Sequence, residues 1–190
     1  MRVGAVAMLA VLAGCGGETA PPARDPEPAA QQTAATPPDI APGRVSQFTT
    51  LDEKACKTSF SDTGTGDWAR RCPGAGGYQL EWSVGDLRDD LEIIRGTTRT
   101  RLDIPGIVAD GAFDSIGRTL EWRGPGGQAP DVLVARVHVA RPDGTSDSGR
   151  LTVVRLGARP CIVAVVSPGA GQSDKARALA DGKLPDCLPN

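Results

Sequence analysis

Chemistry in this sequence of 190 residues would have to begin at His138, its one histidine. Imidazole exchanges a proton near neutral pH, so it is the natural general base of a hydrolase. A Ser-His-Asp set also needs a serine on a sharp turn, and no Gly-x-Ser-x-Gly element supplies one. His138 shares its side of a predicted strand with Arg136, the arrangement of a partly exposed strand residue. The acids Glu81, Asp89, Asp90 and Glu92 crowd into a single short segment. Asp89 is expected to point inward and the other three outward. There they could hold a cation, act on a sugar, or form a solvated acidic face with Arg88 beside it.

Two glycine- or oxygen-rich stretches complete the inventory. Cys72-Pro73-Gly74-Ala75-Gly76-Gly77-Tyr78 could cradle an anion, but it lacks the Gly-Lys-Ser/Thr end of a phosphate loop and no helix follows. It reads better as a tight connection between hairpins. Asp143, Thr145, Ser146, Asp147 and Ser148 make an oxygen-rich turn whose spacing does not suit a calcium loop. The cysteines form no CxxC pair and stand far from His138 in sequence, which argues against a zinc site. No catalytic residue, metal site or cofactor is therefore assigned.

The elements that must position these groups are mostly strands. Cys56–Phe60 and Trp68–Cys72 flank the turn composition Asp62-Thr63-Gly64-Thr65-Gly66. Folding about Gly64 sets Cys56 opposite Cys72, Thr58 opposite Arg70 and Phe60 opposite Trp68, so a cystine and an aromatic pair share one face. In the next hairpin Tyr78, Leu80, Trp82 and Val84 alternate with polar residues. A turn at Gly85-Asp86 pairs Tyr78 with Ile93, Leu80 with Leu91, and, less comfortably, Glu81 with Asp90. Leu120 and Trp122 lie on another strand. Asp131–Ala140 carries Leu133, Ala135, Val137 and Val139 on one face, and Leu151–Leu156 returns after Pro142-Asp143-Gly144. Cys161–Val166 is apolar on both faces, as a central strand would be. Ser173 is read as the N-cap of a short helix over 174–181, stopped by Gly182. The expected fold is mainly β: a small antiparallel sandwich or open barrel of hairpins with a short C-terminal helix and two disulfides.

The N-terminal residues are of another kind. Arg2 precedes a short apolar run, Val3–Val11, too short to span a bilayer, which takes ~20 apolar residues. Leu12-Ala13-Gly14-Cys15 and Gly16-Gly17 follow. This order resembles a bacterial lipoprotein signal ending in a lipobox. The resemblance covers the first seventeen residues. It implies cleavage of 1–14, acylation of Cys15 and a stable membrane anchor. The lack of Asp at position 16 points to the outer membrane, facing the periplasm. Residues 15–46 are rich in Pro, Ala, Gln and Thr and hold no aromatic residue, the composition of a disordered tether. A binding segment for a wall polymer is the alternative. Residues 47–190 form one domain by length.

In an exported chain the four cysteines beyond Cys15 suggest two disulfides, for which three connectivities exist. The hairpin register selects Cys56–Cys72 and leaves Cys161–Cys187. Losing Arg2 from 21 Lys and Arg, against 23 Asp and Glu, leaves about −3. That mixed, nearly neutral charge argues against nucleic acid and against a polybasic membrane patch.

Cys72-Pro73-Gly74, Gly77-Tyr78, Gly85-Asp86-Leu87-Arg88, Leu120-Glu121-Trp122-Arg123 and Arg155-Leu156 resemble landmarks of a family of uncharacterised exported proteobacterial proteins. The resemblance implies an envelope setting and no activity. The expected function is a membrane-anchored, non-enzymatic binding or structural module. Its expected partners are the membrane, through the lipid, and an envelope protein or wall polymer. Alternatives are an envelope hydrolase, or an inhibitor of a wall-degrading hydrolase.

Overall fold

The computed structural model describes residues 43–126, 128–144 and 149–189. Cys15 and the tether up to residue 42 lie outside them. Among the described residues ten strands form two antiparallel sheets. The first runs β1 (Arg44–Thr50), β7 (Asp114–Pro125), β8 (Val132–Val139), β9 (Arg150–Arg155) and β10 (Cys161–Val166). The second is a simple meander of β2 (Lys57–Ser61), β3 (Trp68–Pro73), β4 (Gln79–Gly85), β5 (Arg88–Arg95) and β6 (Thr98–Arg101). The expected mainly β fold of hairpins, with its C-terminal helix and two disulfides, is what forms.

One core lies between the sheets. Leu80, Trp82, Leu91 and Ile93 enter it from the second sheet, and Leu120, Trp122, Leu133, Ala135 and Val137 from the first. Their period-two spacing in the sequence is what puts them on one face of each strand. Trp122 is wholly buried, stacks on Tyr78 with centroids 5.9 Å apart, and donates its indole N–H to Thr49 Oγ1 at 2.8 Å. The segment hard to read from sequence contains α1 (Ile104–Ile107), whose Ile104 reaches this core together with the following Val108.

A second cluster lies on the other side of the first sheet. Val132, Val134, Leu151, Val153 and Val163 are covered there by Ala176 and Ala180 of α2 (Gln172–Asp181). This corrects the placement of the Cys161–Val166 strand. β10 is an edge, paired only with β9. Its two-sided apolar pattern comes from the core on one face and the helix on the other. The helix also starts earlier than expected. Gly171 takes a left-handed conformation before it, and Gln172 Nε2 donates to the Gly149 and Val166 carbonyls at 2.8 and 3.0 Å, so Ser173 is not its cap.

Both disulfides form as the register required. Cys56–Cys72 has Cα atoms 4.2 Å apart and Cys161–Cys187 5.7 Å apart. Beside the first bond the expected pairing holds, with Lys57 facing Arg71 and Thr58 facing Arg70. A bulge then shifts the ladder, so Phe60 faces Ala69. The expected Phe60–Trp68 pair does not form. Trp68 instead packs edge-on against Trp82, centroids 4.6 Å apart, on the side toward the core.

The β4–β5 turn is displaced by one residue. Asp86 and Leu87, both at positive φ, form the loop, and Gly85 faces Arg88. Two left-handed residues are the geometry of a type I′ turn. Leu80 therefore faces Ile93, Trp82 faces Leu91, and the inward set is unchanged. β1 itself begins at Arg44. Arg44 donates to Asp131 Oδ2 at 3.0 Å and to Asp181 Oδ1 at 3.1 Å, so charge fixes a segment that composition assigns to the tether.

Candidate functional site

The outward residues of β3, β4, β5 and β6 bring opposite charges into rows. Glu81 and Glu92 are direct neighbours across β4 and β5, a like-charge contact that would be unfavourable alone. Arg99 resolves it by reaching both: Nη2 lies 2.7 Å from Glu81 Oε1, and Nε lies 2.8 Å from Glu92 Oε2. Arg71 Nη2 holds the other Glu81 oxygen at 3.0 Å. Partial burial pushes the Glu81 carboxyl up, but Arg71 and Arg99 outweigh it and hold it below its ordinary value.

Asp90 corrects the expectation of an open acidic face. It points outward yet is only 3% exposed. The chain entering α1 folds over it, and Ile104 N donates to its Oδ1 at 3.0 Å while Arg101 pairs with Oδ2. Sequence periodicity assigns its side correctly but carries no signal of that cover.

Between these rows and β2 lies a groove of ≈ 470 Å³. Phe60 and Trp68 line one part, Ser83, Asp90 and Glu92 another, and Arg88 and Arg101 stand at its margin. Phe60 is 55% exposed there. An aromatic ring left in water beside ion-paired side chains is a feature of binding clefts. Phe60 is the residue that sequence reasoning placed wrongly. Its exposure depends on the bulge, which no turn residue marks.

Asp89 does point inward, as expected. Its Oδ2 accepts from Trp82 Nε1 at 2.9 Å and from Ile116 N at 3.0 Å, bridging the two sheets. Burial raises its carboxyl, against those two bonds and Arg118. Asp114 Oδ1 accepts from Asp89 N at 2.7 Å, while its Oδ2 is buried with no partner among the described residues. Burial pushes Asp114 up to about 6; the Asp89 N–H opposes this, and the charges of Asp89 and Asp90 add to it.

His138 sits on β8, opposite Ser115. It is half-buried beside Gly149, where an added Cβ would lie 3.1 Å from its Cε1. Its side chain makes no hydrogen bond among the described residues; residues 145–148 of the oxygen-rich turn lie outside them. The glycine-rich stretch serves packing. A Cβ on Gly74 would stand 2.9 Å from the Trp122 ring, and one on Gly76 would stand 2.3 Å from Pro130. Comparison with protein-family models, curated proteins and solved structures gave no match.

Proposed function

We propose that this chain is a lipid-anchored binding module of the bacterial envelope, held through Cys15 at the outer membrane and facing the periplasm. Its ligand surface is the groove on the second sheet, and the ligand class is a polyhydroxylated polymer of the wall. The observation that carries this reading is the exposed Phe60 ring beside rows of paired carboxylates and guanidinium groups. The C–H face of a sugar packs on an aromatic ring, and side chains fixed in a plane present oriented donors and acceptors to its hydroxyls.

The test has two arms. Cys15→Ser should move the protein from the membrane fraction to the soluble fraction, and retention after a salt wash would remove the anchor. For the groove, titration of the purified protein with wall glycan fragments should show saturable binding. Phe60→Ala should weaken it about tenfold, ~1.4 kcal/mol, while leaving the fold intact. Equal affinity in the variant would remove the groove from the reading. Release of shortened glycan would replace binding by hydrolysis. A stoichiometric envelope protein in cell crosslinking, without glycan affinity, would support the partner or inhibitor alternative.

A further inference from the structure

Sheet edges expose unpaired N–H and C=O groups, and proteins usually blunt them with charge, bulges, brevity or cover. Three of the four edges among the described residues are blunted in this way. β2 is bulged after Thr58 and begins with Lys57. β6 has only four residues, two of them arginine. β10 is bulged after Ile162, and Leu188 N donates to the Ile162 carbonyl at 2.8 Å, laying the disulfide-tied tail along that edge.

β1 is different. It runs seven residues in unbroken register against β7, from Arg44 facing Pro125 to Thr50 facing Thr119. It has no proline, and its only charge is Arg44 at its first position. Two large apolar side chains stand out from it, Phe48 at 58% exposure and Val45 at 42%. Gly126 N donates to the Gly43 carbonyl and Leu51 N to the Arg118 carbonyl, so the odd-numbered residues bond toward β7. By the alternation of an antiparallel ladder, Arg44, Ser46, Phe48 and Thr50 direct their N–H and C=O groups outward.

We infer that β1 pairs antiparallel with β1 of a second copy of this chain, about a two-fold axis at Gln47, joining the two first sheets into one. Gln47 is the midpoint of Arg44–Thr50, so this register overlaps the two strands over their whole length. Arg44 faces Thr50 of the second copy and Ser46 faces Phe48, so all four outward residues bond, making about eight main-chain hydrogen bonds. No charge faces a like charge. Val45 falls opposite Thr49, a pair of β-branched residues suited to cross-strand packing, and the two Phe48 rings approach on the diagonal.

The test uses the full lipidated chain in membranes and in detergent. Gln47 would face its own counterpart at a site without hydrogen bonds, with Cβ atoms about 4.5–5.5 Å apart. Mild oxidation of Gln47→Cys should therefore yield a disulfide-linked dimer. Thr50→Cys should not, because its neighbour across the axis is Arg44. Adding Phe48→Lys to Gln47→Cys should abolish the crosslink, and sedimentation equilibrium should show a dimer for the unmodified chain and a monomer for Phe48→Lys. Equal crosslinking at 47 and 50, crosslinking of position 47 to a different protein or to residues 16–42 of its own chain, or a monomeric unmodified chain would each overturn the inference.

Discussion

Asp89 and Asp114 face each other across the join between the sheets, the Asp89 N–H donating to Asp114 Oδ1 at 2.7 Å. The bond satisfies one Asp114 oxygen and leaves the other buried with no partner among the described residues. Because Asp114 is raised from 3.8 to about 6, its neutral form suits the fold and its charged form does not. A raised acid contributes stability in full below its unfolded value and loses it as pH climbs through the folded one. Asp89, also raised, acts in the same direction. Urea unfolding should therefore show higher stability at pH 5 than at pH 7.5, by on the order of 1 kcal/mol once solvent screening is discounted. Asp114→Asn should remove most of that difference. A variant with the same pH slope as the parent would show that Asp114 is not its source.

Asp181 on α2 draws two arginines together. Arg123 contacts it through Nε at 2.8 Å and Nη2 at 2.6 Å, and Arg44 through Nε at 3.1 Å. Arg123 is 8% exposed and also holds Glu121 Oε1 at 3.1 Å, so losing Asp181 leaves a buried cation with one carboxylate in place of two. Asp181→Ala should cost about 2 kcal/mol and speed amide exchange along α2. Unchanged exchange there would mean that Ala176, Ala180 and the bonds of Gln172 and Arg177 hold the helix without Asp181.

Leu87 sits at φ 60, in a region that disfavours any residue with a Cβ, and its side chain is 70% exposed. Leu87→Gly should relieve that strain while giving up little packing. We expect a gain of about 1 kcal/mol in denaturant unfolding, with the hairpin register unchanged.

Non-reducing peptide mapping should recover Cys56 with Cys72 and Cys161 with Cys187. Replacing Cys161 and Cys187 together by serine should cost about 3 kcal/mol for a loop of this length, separation 26. The same double change frees the tail from β10, so the Leu188 amide, bonded to the Ile162 carbonyl, should lose protection in hydrogen exchange. Equal stability in the double variant would leave the tail contact to Ile162 as the sole clip.

Side-chain alternation made much of this fold legible. The inward sets Leu80-Trp82-Leu91-Ile93 and Leu133-Ala135-Val137-Val139 follow from period two, and Cys56 finds Cys72 because both lie on one hairpin. What alternation does not encode is offset by a whole pair. The β4–β5 ladder could turn at Gly85-Asp86 or at Asp86-Leu87 with the same residues inward, and the contacts that decide it are distant. Arg88 donates to the Gly111 carbonyl at 3.0 Å and lies over Phe113. The Ser59 bulge is likewise invisible, and with it the exposure of Phe60. β10 misleads because a helix and a neighbouring strand bury a residue equally well. The candidate groove was legible only in part: its acids were picked out, but not the arginines of β6 that hold them or the aromatic ring beside them.

The Arg44 clamp gives the domain a mechanical polarity. A pull arriving along the chain from residue 43 meets the Gly43–Gly126 bond and then a guanidinium held on Asp131 and Asp181 at once. Tension is thereby shared with α2 and with the lead-in to β8 before it can peel β1 from β7. The second sheet, with its groove, lies outside that path. Under the proposed anchor at Cys15, the proposed ligand surface would thus be insulated from the segment that takes the strain.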